Sequence, residues 1–544
     1  MEQPNPQHYL SELQADIAAN DPIKAQILLS YFSTLPPQLQ HRTLFELSRC
    51  ASEFAVPLLL QLSSEQPPEA SVTTTIHSLL LEKLLEQPSL LVTLLAQPES
   101  AGKPILIELA GELQMEAAVP CLVAMLHQET ARDRLLSILD ALGAIGHAAA
   151  TSVLSDYLYA DAQSLVTAAI RGLARLATPT AVQRLAERMG TDNELDCLIL
   201  DAFGSMQDSL ALSKLNEALR SHQARIRTHA KTVLQQLGAK AVPVLLDNLR
   251  YGDDPDLLIH TLNVLGLIGD VSAVSPIRKL LHSEPRDPNV RFAAYEALGL
   301  LPLQKGAFVL AEGLADTVEH VRIAAARALE RQHNDIVLAG IKNLLAQDES
   351  QVRNTVQALL FAEADTLCLR LLDEAPFQQL AMQTLRTVAH PDLRRHFDQL
   401  LRQHGRRQLA EQLDQQATEA VAPSKGVVYA VDDSRMMLKV YQNTLHQLGY
   451  TPVLFEFPVH ALAQAKLTKP DLLVTDLNMP DMTGLELTSK LRTLYSAETL
   501  PIIMITTQDD TQSTDEARAV GVTALLPKPF TAAQLAATLE RFAA

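Results

Sequence analysis

Near the C-terminal end of the chain, five reactive side chains stand at or directly after the end of a short apolar run. Asp432 and Asp433 follow VVYAV (427–431), Asp476 closes DLLVTD (471–476), Thr506 closes PIIMIT (501–506) and Lys528 closes ALLPK (524–528). One aspartate in such a place is ordinary turn chemistry. Four runs ending this way point to a shared pocket of three carboxylates, a hydroxyl and an ammonium. Gathered there, the carboxylates repel and raise one another's pKa unless positive charge offsets them. A hard divalent cation such as Mg2+, which takes oxygen ligands, removes that conflict.

Positioning these groups requires strands that end at a common edge. The apolar runs, bounded by turn signals, read as strands at 427–431, 452–456, 471–476, 501–506 and 524–528. Helical patterns lie at 434–448, 458–467, 484–495, 511–520 and 531–542. This strand–helix alternation predicts a doubly wound parallel sheet, an α/β (βα)5 domain with helices on both faces. Such sheets bind ligands beyond the carboxyl ends of their strands, at the switch point. All five side chains fall at those ends.

VDDSRMM, LLVTDLNMPDMTG, IIMITT and LLPKPF resemble the signature set of response-regulator receiver domains of the chemotaxis-receiver kind, over residues 426–544. The resemblance implies a role for each position. Asp476 is the phosphoacceptor, taking a phosphoryl group from a sensor histidine kinase or a histidine phosphotransfer protein. Mg2+ is the cofactor, held by Asp433 directly, by Asp432 mainly through water, by Asp476, and by the backbone carbonyl of Asn478. Thr506 hydrogen-bonds the phosphoryl oxygens and Lys528 pairs with them. Such a domain promotes its own phosphotransfer and autodephosphorylation and is otherwise no enzyme. One position departs from the family: Leu525 stands where receivers usually carry Tyr or Phe, three residues before the lysine. The signal is then expected to leave through Thr506 and the loop that follows it.

Upstream the pattern is a repeat. An A-L-G-x-x-G frame and its degenerate copies place an apolar mark at Leu142, Leu173, Phe203, Leu234, Leu265, Leu298, Leu329 and Leu360, at intervals of 30 to 33 residues. Eight residues before all but the first stand Leu165, Leu195, Ile226, Leu257, Val290, Val321 and Val352. Eight residues are about two helical turns, so both positions share one face. Turn signals GDDPD (252–256), EPRDPN (284–289) and QDES (347–350) separate helices. A helix pair of this size cannot bury its apolar stripe alone, whereas stacked neighbours can, so an all-α solenoid is expected. The segments 287–301, 316–330 and 348–360 resemble short HEAT-type repeats, a family used mostly as protein-binding scaffolds. A subset of that family resembles the repeats of phycobilin lyases. Weaker copies run upstream through Leu80 and Gly111. The chain therefore divides into a HEAT-like helical solenoid (1–413), a linker (414–426) and a receiver-like domain (427–544).

Two features of the repeats admit more than one reading. Arg227, Arg291, Arg322 and Arg353 follow the Val/Ile mark in four repeats. They are either a ladder for an acidic ligand or partners of acids in their own or the next repeat, such as Asp287 for Arg291. The stretch 217–250 carries Arg220, Arg225, Arg227, Lys231, Lys240 and Arg250 against Glu217 and Asp247. It is either a docking patch or a solvated helix face.

Composition limits the rest. At 544 residues the chain is too long for one ordinary core, and aromatics are 4 % with no Trp, so its cores are aliphatic. A net charge of −18 without a long basic block disfavours nucleic acid and anionic membranes as partners. Four scattered cysteines fit buried thiols in a reducing compartment. With neither a signal peptide nor a membrane span in evidence, a cytoplasmic location is expected. The expected function is a two-component response regulator in which phosphorylation switches the protein contacts of a repeat scaffold. Alternatives are a phosphate sink and a bilin-lyase-like repeat enzyme under receiver control.

Overall fold

The computed structural model describes residues 8–64, 70–97, 102–206, 208–221, 223–303, 308–389, 391–414, 425–433, 435–477, 479, 482–507, 516–528, 530 and 532–542. They fall into two compact units, Met1–Lys214 and Leu215–Ala544. From Tyr9 to Asp414 every regular element is an α- or 3-10 helix. The longer helix of each repeat carries the apolar mark: Arg132–Ile145, Gln163–Leu176 and Asn193–Met206 in the first unit. In the second unit these helices are Ala224–Leu237, Pro255–Ile268, Pro288–Leu300, Glu319–Arg331 and Glu349–Phe361. All eight marks are at most 1 % exposed, because each is the centre of the stripe that neighbouring helices cover.

Small residues beside the marks set the spacing between repeats. A Cβ on Gly143 would lie 2.6 Å from the Cα of Gly172, and one on Gly299 would lie 2.9 Å from the Cα of Ala328. Helices meet this closely only when no side chain stands between their backbones. The turn signals supply the helix starts. Asp254, Asp287 and Asp348 each accept hydrogen bonds from first-turn backbone N–H groups. Helix ends are marked by left-handed residues: Gly146 (φ 73°), Gly269 (φ 75°) and Ala177 (φ 48°), the last at a cost that glycine would avoid.

The chain then switches period. Strands β1 (Val427–Val431), β2 (Thr451–Phe455), β3 (Leu472–Asp476), β4 (Ile502–Thr507) and β5 (Ala524–Lys528) form one parallel sheet in the order β2-β1-β3-β4-β5. Both faces are covered, which is why the strands read as unbroken apolar runs. On one face Val428, Ala430, Val474, Ile503 and Ile505 pack against Tyr441 and Leu445 of helix Arg435–Gln447 and Leu535 of helix Ala532–Glu540. On the other, Tyr429, Val431 and Leu473 pack against Ala461 of helix Pro458–Leu467 and Leu487 of helix Gly484–Arg492. The fold is thus a helical repeat region followed by a doubly wound α/β domain.

Among the described residues no helix is long and apolar enough to cross a membrane. Cys50, Cys121, Cys197 and Cys368 are free thiols. Burial raises the pKa of Cys50, Cys121 and Cys368, which keeps those thiols protonated.

Candidate functional site

Strand register brings the expected residues to one edge. β1 pairs with β3 up to Val431–Thr475, so the next step sets Asp432 beside Asp476, the last residue of β3. Asp476 in turn pairs with Ile505 of β4, directly before Thr506. Thr506 and Thr507 pair with Pro527 and Lys528 of β5. The sheet order reverses between β1 and β3, and this edge is its switch point. Asp432 is 1 % exposed and Asp476 7 %, whereas Asp433 is exposed. Behind them the chain is held tightly. Gly484 N–H donates to the Leu477 carbonyl at 2.9 Å, and a Cβ on Gly484 would lie 2.2 Å from the Asp476 carbonyl oxygen. Only glycine allows the loop after β3 to close onto the strand this way. Thr483 and Glu486 then cap helix Gly484–Arg492 reciprocally.

Tyr441 belongs to the site as well. Its hydroxyl donates to Asp432 Oδ2 at 3.0 Å, and its ring stacks on Phe530 at a centroid distance of 5.8 Å. Burial, followed by the charges of Asp432, Asp476 and Asp433, pushes the Tyr441 phenol well above its usual pKa. It therefore stays protonated and acts as a fixed donor. The charges of three carboxylates act on this hydroxyl, and Asp432 is hydrogen-bonded to it. Two of them are buried side by side, the electrostatic conflict that a hard cation resolves. The donor set fits Mg2+ in kind. It is not a closed cage, since no three His, Cys, Asp or Glu side chains among the described residues are arranged to hold a metal ion. Asn478, expected to add its carbonyl, lies outside the described residues. Lys528 is described by its backbone, at the same edge.

A model of the response regulator receiver domain matches residues 428–540. A chemotaxis protein CheY homolog of Campylobacter jejuni is 42 % identical over 113 residues, which are 86 % of that protein and 20 % of this chain. The chain belongs to the response-regulator receiver family. Among solved structures, the receiver is similar to chemotaxis protein CheY4 of Vibrio cholerae, at 36 % identity over 99 % of that chain and 22 % of this one, TM-score 0.21. Another is a sensor-kinase receiver domain of Pseudomonas aeruginosa, described with a magnesium ion in its active-site cleft. It is 24 % identical over 98 % of its own chain and 22 % of this one, TM-score 0.21. Upstream of the receiver, a HEAT-repeat model matches residues 242–330. The chain is therefore a fusion of HEAT repeats with a C-terminal receiver.

The arginines that follow the Val/Ile marks have structural partners. Arg227 donates to the Ser221 carbonyl at 2.6 Å, Arg291 to the Pro285 carbonyl at 2.7 Å and Arg322 to the Asp316 carbonyl at 2.8 Å. Each acceptor lies six residues earlier, so each guanidinium ties down the turn before its own helix. Arg291 also grips Asp316 of the next repeat, at 2.7 and 3.0 Å, while Asp287, the partner suggested by spacing, caps the helix start. Arg353 forms an exposed pair with Glu349. Leu525, in the place of the family's aromatic, packs among Leu477, Met504 and Ala517.

One element of the site escapes sequence reasoning. Tyr441 lies nine residues after Asp432 in an amphipathic helix, where a tyrosine reads as core.

Proposed function

We propose that the chain is a phosphorylation-controlled adaptor working in the cytoplasm. A sensor histidine kinase or histidine phosphotransfer protein phosphorylates Asp476, and the HEAT repeats change their contacts with a protein partner. The observation that carries this reading is the placement of Asp476: the end of the central strand, at the switch point, buried beside Asp432.

In the transfer, an Asp476 carboxylate oxygen bonds to phosphorus while the phosphorus–nitrogen bond of the donor phosphohistidine breaks. The bonding electron pair stays with the imidazole nitrogen, which takes up a proton. Mg2+, when bound, supplies positive charge to the oxygens of the phosphoryl group. Asp433, Asp432, Asp476 and the Asn478 carbonyl would hold it. The Thr506 hydroxyl donates to one phosphoryl oxygen and the Lys528 ammonium pairs with another, following the family resemblance. Tyr441, by donating to Asp432, fixes that carboxylate's orientation. The repeats' aliphatic, self-satisfied helices suit a scaffold role.

Labelling with acetyl phosphate tests the assignment. Asp476→Asn should abolish stoichiometric phosphorylation, since an amide is neither a nucleophile nor a good metal ligand. Undiminished labelling of that variant would place the phosphoacceptor elsewhere.

A further inference from the structure

Within the unit Leu215–Ala544, a cavity of about 310 Å³ lies between the repeats and the receiver. That volume falls at the lower end of the roughly 300–1,000 Å³ typical of small-molecule sites. Val440, Thr444 and Phe530 of the receiver line it from one side, and Val318, Arg322 and Ile323 of the repeats from the other. The repeat side is the start of helix Glu319–Arg331, whose N-cap residue, Val318, makes no side-chain capping hydrogen bond. A helix start of this kind offers N–H donors and partial positive charge. Arg322 adds a full charge, and it is 8 % exposed. Its Nη1 donates to the Asp316 and Thr317 carbonyls at 2.8 and 3.1 Å, whereas its buried Nε has no hydrogen-bond partner among the described residues. A buried donor without an acceptor marks a place where an acceptor is missing. Neither nearby carboxylate takes that donor: Asp316 is gripped at two points by Arg291, and Glu319 is exposed.

We propose that this cavity binds a small monocarboxylate with an apolar body. Its carboxylate sits on Arg322 and the first turn of helix Glu319–Arg331, and its body lies against Ile323, Val440 and Phe530. A carboxylate accepts charge-assisted hydrogen bonds from a guanidinium, and a helix start supplies further N–H donors to the same anion. Glu319 and His320 are the other titratable side chains that line the cavity. Glu319 decides for one negative charge rather than two, because a phosphate dianion would meet more repulsion there than a monoanion does. Arg322 belongs to the repeats, and Val440 and Phe530 belong to the receiver, so one bound molecule touches both. Phe530 also stacks on Tyr441, whose hydroxyl holds Asp432. An occupant in contact with Phe530 is then one ring away from the side chain that orients Asp432.

The test is a calorimetric titration of the full chain with three probes: hexanoate, hexanol and hexyl phosphate. Hexanoate should bind one-to-one and about tenfold more tightly than either of the others, as expected for one charge-assisted contact. Arg322→Met should bring hexanoate down to the affinity of hexanol and leave hexanol unchanged, a loss of charge preference that a disturbed turn would not produce. Val440→Phe fills the cavity from the receiver side and leaves Arg322 in place, so it should weaken hexanoate and hexanol alike. Hexanoate that fails to bind, that binds no better than hexanol, or that binds Val440→Phe as tightly as the unaltered chain would overturn the proposal. Tighter binding of hexyl phosphate would overturn it too, by placing a dianion in the cavity. The titration needs no phosphodonor, so it succeeds or fails independently of labelling at Asp476.

Discussion

The arginines of the repeats and the aspartates of the receiver are two sets of ionisable side chains that end in opposite electrostatic situations. Arg227, Arg291 and Arg322 spend donors on carbonyls six residues upstream, and Arg291 adds a two-point grip on Asp316. Most of that charge is answered where it sits, and it fixes turns. Asp432, Asp433 and Asp476 are collected at one sheet edge, where Asp432 accepts from the neutral Tyr441 hydroxyl. Carboxylates gathered in this way are the groups that a hard cation can bridge. The difference separates structural from functional charge more sharply than burial does, since Asp432 and Arg322 are both buried.

If the two regions divide the work this way, damage to the repeats should cost stability and spare the chemistry. The largest effect should come from Gly143→Val, which drives a side chain into the backbone at Gly172. Overpacking of this kind should cost about 3 kcal/mol in denaturant unfolding, with labelling of Asp476 unchanged. Arg291→Met should cost about 2 kcal/mol, because it strands a largely buried Asp316. Arg353→Met, at an exposed pair, should stay within about 0.5 kcal/mol. Equal losses at the two arginines would erase the distinction between tied and solvated guanidinium groups.

Damage to the receiver should do the reverse. Asp433→Ala removes an exposed carboxylate and should leave unfolding almost unchanged. Mg2+ affinity should fall more than about tenfold, or about 1.4 kcal/mol. An unchanged Mg2+ titration would mean that Asp433 is not a metal ligand.

His260 tests the boundary between the two. Burial, then the charges of Lys231 and Arg227, push its pKa down to about 3. As pH falls below the ordinary histidine value, the unfolded chain takes up a proton that the folded chain refuses, so stability is lost on acidification. Between about pH 7 and about pH 5.5 this should amount to about 1 kcal/mol. His260→Gln should remove that part of the slope, and parallel curves for the two proteins would show that the imidazole is not shielded.

Much of this was legible beforehand, for identifiable reasons. The predicted strand 452–456 lies one residue from β2, whose start is set by the pairing of Thr451 with Val427. The repeat marks were all correctly placed in the core, because an apolar stripe in a stacked helix has nowhere else to go. The site's carboxylates were visible because strand ends in a parallel sheet share an edge. Tyr441 was not, because its value lies in a hydroxyl whose partner sits on another element. The predicted helix 511–520 lies partly outside the described residues.

The close seam between repeats also bears on how such a chain changes over generations. Gly143 meets Gly172, Gly266 meets Ala297, and Gly299 meets Ala328, each one unit along. A seam that refers only to its neighbour is indifferent to how many units precede it. Duplication or loss of one unit in the first half of the chain would therefore be tolerated as an addition or subtraction of length. The same event at helix Glu319–Arg331 would move Val318, Arg322 and Ile323, which face Val440, Thr444 and Phe530 across one cavity. Lineages carrying this architecture should vary in repeat number toward the N-terminus and keep a constant count in that stretch.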